Sequence, residues 1–176
     1  SLSPWIHEQF MKSANLQGEY TKNEIKPEEL QEKFEQIKQD GIKGFNVTVP
    51  HKQGIIRLLD ELDDTAEKMG AVNTVAYQDG RWIGFNTDGT GYVRSLKMKY
   101  DELFSNKENK KILLLGAGGA ARAIFYALYK SGFKQIDLAN RTTETARDLA
   151  YLTEGGTETK VFSLSDIEKK TNDYDL

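Results

Sequence analysis

A chain of 176 residues is long enough for one ordinary domain or two small ones, and 38% hydrophobic with 29% charged residues describes a globular protein, not a disordered tail. The net charge of -3 and pI near 5.5, with Lys and Arg interspersed among Glu and Asp, leave no basic face for nucleic acid. With no Cys there is neither a disulfide framework nor a thiolate metal site, which fits a reducing cytoplasm, and no apolar run approaches the roughly 18 residues of a membrane span.

Ser1-Leu2-Ser3-Pro4 opens a helix, with Ser3 as N-cap, Pro4 at the first helical position, and Trp5, Ile6 and Phe10 following at helical spacing to about Asn15. His7, one turn in, reads as a surface or interface residue. After a polar piece around Tyr20, a second helix starts at Pro27, carries Leu30, Phe34 and Ile37 on one stripe and stops at Asp40-Gly41. The chain starts at a Ser and ends in Asp173-Tyr174-Asp175-Leu176, which reads as the entry to a strand, so the expectation is a portion of a longer chain.

From Gly44 to Lys52 the sequence runs Gly-Phe-Asn-Val-Thr-Val-Pro-His-Lys. Phe45, Val47 and Val49 alternate with Asn46 and Thr48, which predicts a short strand ended by Pro50 just before His51 and Lys52. Asn46, Thr48 and Lys52 would then point at one small polar molecule, with Lys52 as charge and proton donor. The plain alternative is an edge strand with a solvated Lys; His51 is expected to shape the turn.

A helical run follows with Ile55, Ile56, Leu58 and Leu59 buried. Ala71 to Tyr77 and Trp82 to Phe85 read as a hairpin around Gln78-Asp79-Gly80-Arg81, delivering Asn86-Thr87-Asp88-Gly89 at its end, and a helix runs from about Gly91 through Leu96. Asn106 to Lys110 is a polar break. Beyond it the pattern is βαβαβ: Ile112 to Leu115 is a buried parallel strand, Gln135 to Ala139 a second and Val161-Phe162 a third.

Gly116, Gly118 and Ala121 fit the dinucleotide fingerprint in its variant with Ala at the third position, and they lie between a buried strand and a helix. A pyrophosphate approaches such a helix N-terminus because free backbone N–H groups and the dipole favour anions. The second strand ends in Asn140-Arg141-Thr142 where an NAD site usually carries an acid, and a guanidinium suits a phosphate, so Arg141 argues for NADP. Asp137 lies short of the strand end and reads as structural. A nicotinamide cofactor transfers hydride, and a carbonyl receiving hydride must also receive a proton; Lys52 and Asp88 are the residues placed for that work. Their plain alternative is a surface salt bridge. Two distant His and no Cys make no metal cluster.

Read in order, Ser1-Leu-Ser3-Pro4, Asn46 to Lys52, Ala71-Val-Asn-Thr74, Asn86-Thr-Asp-Gly89, Gly116 to Ala121 and Asn140-Arg-Thr142 closely resemble the shikimate dehydrogenase family. The resemblance implies an α/β enzyme: an N-terminal α/β substrate-binding domain over residues 1–95, followed by a Rossmann-type NADP-binding domain over 96–176, incomplete in this chain. It implies reduction of 3-dehydroshikimate to shikimate with NADPH, in aromatic amino-acid biosynthesis, by a cytoplasmic monomer or homodimer with no nucleic-acid or membrane partner. Lys52 and Asp88 become the catalytic pair, and Ser1, Ser3, Thr48, Lys52, Asn73 and Asp88 the substrate-binding groups, with Asn46 in support. Gly116, Gly118, Gly119, Ala120 and Ala121 would hold the pyrophosphate, and Asn140, Arg141 and Thr142 the 2′-phosphate end of NADP(H). The family carries a strand before the first motif, and further strands and a returning helix after the last, so the chain reads as truncated at both ends and is expected to be neither active nor stable alone. The rival readings are a quinate or dual quinate/shikimate dehydrogenase, a non-catalytic shikimate-sensing relative, and a Rossmann domain of some other dehydrogenase.

Overall fold

The computed structural model describes residues 2–167 and 173–176. Ser1, expected to hold substrate, lies outside them. Pro4 opens α1 (Ser3–Ser13), but Leu2 stands at the N-cap with helical torsions and no side-chain cap, so Ser3 is the first helical residue and not the cap. The helix turns Ser3, His7 and Met11 inward at successive turns and leaves Trp5, Ile6 and Phe10 exposed. Residues 16–26 carry no regular structure. After a 3-10 turn at Pro27–Glu29, α2 (Leu30–Gln39) buries Leu30 and Phe34 and ends at Gly41, whose φ of +68° suits a residue without a Cβ.

The strand expected from Phe45 to Val49 is shorter: β1 is Gly44–Asn46. Val47 still donates its N–H to the Asn73 carbonyl, but the chain then turns through a cis Val49–Pro50 peptide, and the Thr48 carbonyl accepts from the His51 N–H. Pro50, with no N–H to give a ladder, becomes the N-cap of α3 (His51–Gly54). Lys52 therefore stands on a helical turn and not at a strand end. Of the apolar run that follows only Ile55 is fully buried, because a 3-10 turn at Ile56–Leu58 and an extended Leu59 interrupt the helix.

Two short elements come next, β2 (Glu61–Leu62) and α4 (Asp64–Met69), the latter capped by Asp63 accepting from the Ala66 N–H. Then β3 (Thr74–Gln78) and β4 (Arg81–Phe85) form the hairpin, with Asp79 and Gly80 both at positive φ, as a two-residue turn of this twist requires. The sheet runs β1-β3-β4-β2, antiparallel except for β2 beside β4. Its core gathers Leu30, Phe34, Ile55, Val72, Val75 and Trp82, with the Phe34 and Trp82 rings edge to face at 5.5 Å.

The helix expected from about Gly91 begins three residues earlier: α5 (Asp88–Lys99) has Thr87 as its N-cap and Asp88 in its first turn, where a carboxylate suits the helix dipole. After α6 (Asp101–Phe104), the chain enters β5 (Lys111–Leu115), α7 (Gly119–Lys130), β6 (Gln135–Asn140), α8 (Thr143–Ala150), β7 (Val161–Ser163) and α9 (Leu164–Ile167). The three strands are parallel in the order β5-β6-β7. On the free edge of β5, Asp175 donates its N–H to the Lys111 carbonyl and Leu113 donates to the Leu176 carbonyl, both at 2.8 Å. The order thus reverses beside β5, which is the switch point at which α/β sheets of the Rossmann type bind nucleotides. The second core, with Phe125, Leu128, Phe133, Ile136 and Leu138, takes in Leu96 from α5, so the helix that follows the hairpin packs on this second core.

Candidate active site

The Lys52 Nζ donates to Asp88 Oδ2 at 2.7 Å, across 36 residues of sequence. A surface ion pair would leave the other carboxylate oxygen to water. Here Oδ1 accepts from the Asn73 side-chain amide, also at 2.7 Å. The backbone supports this arrangement: the Lys52 carbonyl accepts from the Val72 N–H at 2.8 Å, so α3 is tied to the segment that carries Asn73. Ser3, Thr48, Lys52, Asn73 and Asp88 line one cleft of about 730 Å³.

Asn86 and Thr87 belong to a motif that assigns them no role, and the structure gives each a positioning contact. Asn86 is buried; its amide donates to the Ala71 carbonyl at 2.9 Å and its Oδ1 accepts from the Asp88 N–H at 3.3 Å. Thr87 exchanges hydrogen bonds with Asn73, its N–H reaching Oδ1 at 3.0 Å. The signal for both is present in the sequence, since Asn-Thr-Asp is a helix-start pattern, but which groups it caps depends on the hairpin folded behind it.

Neither His makes its described contacts with Lys52, Asn73 or Asp88, although both line the same cleft. His51 donates through Nε2 to the Ile25 carbonyl at 2.7 Å, pinning residues near 25 to α3. His7 lies in the cleft wall and not on open surface, with its ring stacked on Tyr20 at 4.1 Å. Among the described residues no group of three or more His, Cys, Asp or Glu could hold a metal.

At the other site, Gly116 has a φ of +103°, which disfavours any side chain, and its N–H bonds to the Ala139 carbonyl at 2.8 Å, joining the loop to the end of β6. Gly118 is the N-cap of α7, and the first intrahelical bond runs from the Arg122 N–H to the Gly118 carbonyl. The N–H groups of Gly119, Ala120 and Ala121 therefore have no acceptor within the helix. A Cβ at Gly118 or Gly119 would meet no protein atom within 4 Å, so packing does not demand glycine there. The bare backbone instead leaves open the space in front of the helix, as a pyrophosphate needs. Ala121 faces the core, where a small residue keeps helix and sheet close. At the end of β6, Asn140 donates to the Thr142 carbonyl at 2.8 Å while Arg141 and Thr142 are exposed. Asp137 is buried, and its two oxygens accept from the Lys160 N–H at 2.8 Å and the Tyr174 hydroxyl at 2.9 Å, so it serves the interior of the sheet and is not open to a ribose.

The two sites are joined through helices. Gly89, in the first turn of α5, packs against Ala123 and Ala127 of α7. Ala123 lies four residues after Gly119, about 6 Å along the helix axis, so Asp88 is held near the open N-terminus of α7.

Residues 1–75 match the family model described as shikimate dehydrogenase substrate binding domain, and residues 99–176 the model described as shikimate / quinate 5-dehydrogenase. A curated relative from Oceanobacillus iheyensis, named shikimate dehydrogenase (NADP(+)), is 48% identical over 177 residues, a stretch that takes in 100% of this chain and 63% of the relative. The solved shikimate dehydrogenase of Aquifex aeolicus superposes with a TM-score of 0.81 at 44% identity, over 97% of this chain and 61% of that one. Shikimate 5-dehydrogenase from Thermus thermophilus, solved with NADP(H) and shikimate, superposes with a TM-score of 0.78 at 32% identity, over 93% of this chain and 63% of that one. The chain spans about three-fifths of the length of the curated relatives it matches. Similarity thus runs through both halves and the fold alike, and the chain belongs to the shikimate dehydrogenase family.

Proposed function

We propose that the full-length protein is a shikimate dehydrogenase, reducing 3-dehydroshikimate to shikimate reversibly with NADPH on the route to the aromatic amino acids. The observation that carries this reading is the Lys52–Asp88 pair, fixed by Asn73 in a polar cleft beside the open start of α7. Residues 1–95 supply the substrate site and 96–176 the cofactor site.

Bound NADPH supplies the hydride. Lys52 supplies the proton: its ammonium faces the carbonyl oxygen, stabilises the negative charge that develops there and hands a proton to it. Asp88 orients the ammonium, and its second oxygen, held by Asn73, keeps the carboxylate from turning away. Ser1, Ser3 and Thr48 complete the hold on the substrate's carboxylate and hydroxyls. The N–H groups of Gly119, Ala120 and Ala121, in the loop that Gly116 and Gly118 shape, receive the pyrophosphate, and Asn140, Arg141 and Thr142 the 2′-phosphate. The enzyme takes no metal or nucleic-acid partner and acts in the cytoplasm as a monomer or homodimer; no helix among the described residues is long and apolar enough to cross a membrane.

Reduction of NADP by the full-length protein with shikimate, followed by reduced-nicotinamide absorbance, tests the reading. Lys52→Ala is expected to cut kcat by about a thousandfold, the scale of a lost general acid, with a much smaller change in KM. Faster turnover of quinate would move the protein to the sister activity, and shikimate binding without turnover to a sensor.

A further inference from the structure

Residues 16–26 have no regular structure, and 20–25 of them line the cleft; all are exposed except Tyr20 and Ile25. Ile25 is held through its carbonyl by His51. Tyr20 is held on both sides: its ring lies flat on His7, with 4.1 Å between centroids and 2° between planes, and its hydroxyl reaches Asn46 Oδ1 at 3.0 Å.

Resting on the dehydrogenase reading, we propose that Tyr20 is a positioning residue of the active site, the far end of a one-way hydrogen-bond chain that orients the Asp88 carboxylate. The direction follows from the acceptor-only character of that carboxylate. Because Asp88 Oδ1 can only accept, Asn73 must turn its NH₂ towards it, at 2.7 Å, and its Oδ1 away. That Oδ1 then accepts from the Thr74 hydroxyl at 3.0 Å. With its proton so committed, Thr74 Oγ1 accepts from the Asn46 amide at 3.2 Å, which turns Asn46 Oδ1 towards Tyr20. Tyr20, whose hydroxyl donates to that oxygen, closes the chain. Every link points its proton towards Asp88, so each amide has one favoured orientation, and links of one sense polarise each other. The Thr87 N–H donates to the same Asn73 oxygen and agrees with this sense, and the chain extends one arrangement through Asn46, in which Lys52 meets a carboxylate held from behind.

In the full-length protein, Tyr20→Phe keeps the ring on His7 and removes only the donor. The expected result is a kcat for shikimate lower by about fivefold to tenfold, the worth of one hydrogen bond, with KM within about twofold and the unfolding midpoint unchanged. Because the two residues act in series, Tyr20→Phe should have little further effect in an Asn46→Ala background. The side-chain amide resonances of Asn73 should also shift in Tyr20→Phe, a readout that needs no turnover. Wild-type kcat in Tyr20→Phe, fully additive losses with Asn46→Ala, or unmoved Asn73 amide resonances would each overturn the proposal. Absence of shikimate turnover in the unmodified protein would instead overturn the dehydrogenase reading, and the resonance test would still decide the chain.

Discussion

Gly89 leaves no room for a Cβ: one built there collides with the Ala123 carbonyl oxygen and stands 2.9 Å from the Ala127 Cβ. Residue 89 directly follows Asp88, and Ala123 belongs to the helix that the glycine loop opens, so this close approach of α5 to α7 lies beside both sites.

Gly89→Ala should therefore force these helices apart. At an open helical position the exchange would stabilise by about 1 kcal/mol through helix propensity. Here the collision is with backbone, which cannot swing aside, and overpacking of this kind costs about 1–3 kcal/mol. The expected outcome is a lower unfolding midpoint in denaturant together with a lower kcat, since Asp88 moves with its neighbour. A midpoint at or above that of the unmodified protein would show that the interface yields.

These relationships differ in how far the sequence reveals them. The glycine loop, the parallel strands and the hairpin are local patterns, and their residues announce them. Lys52 and Asp88 are legible because each sits in a compact motif. The strand expected through Val49 fails because the alternation runs on to Val49 while the hydrogen bonds to the neighbouring strand end with the Val47 N–H, the chain turning at Pro50. Residues 61–69 escape a reading of the sequence, since a two-residue strand and a six-residue helix are too short to show a period. The helical spacing of Trp5, Ile6 and Phe10 suggests the inner face of α1, whereas the face turned inward is the mixed stripe of Ser3, His7 and Met11. The Tyr20–Asn46 and Gly89–Ala123 contacts join segments 26 and 34 residues apart through tertiary packing alone, and nothing local marks either pair.

Tyr174 ties stability to alkaline pH. Burial, and then its hydrogen bond to Asp137, push the phenol well above its ordinary value of 10.0. In the unfolded chain the phenol ionises near that ordinary value, while in the folded protein it stays protonated. Its contribution is therefore fully present below pH 10 and is lost as pH rises from there towards the folded value. Tyr174→Phe should flatten the fall in stability above pH 10. At neutral pH the same variant should be less stable by about 1–3 kcal/mol, because the buried Asp137 loses a donor. Denaturant midpoints of both proteins across this range are the measurement, and parallel curves would remove Tyr174 from the account.

Arg141 should decide between the two nicotinamide dinucleotides. The acid that might have accepted from a ribose hydroxyl, Asp137, is engaged inside the sheet by Lys160 and Tyr174, whereas Arg141 stands exposed beyond the end of β6. Its neighbour Arg147 is already engaged by Glu144 at 3.5 Å. A guanidinium that grips a 2′-phosphate contributes only when that phosphate is present, so Arg141→Ala should raise the Kd for NADPH by about tenfold or more and that for NADH by less than about twofold. Fluorescence titration of both reduced dinucleotides on the full-length protein measures this. Equal losses for the two would mean that Arg141 contacts a part of the cofactor they share, and preference for NADPH would then have to arise from Asn140 or Thr142.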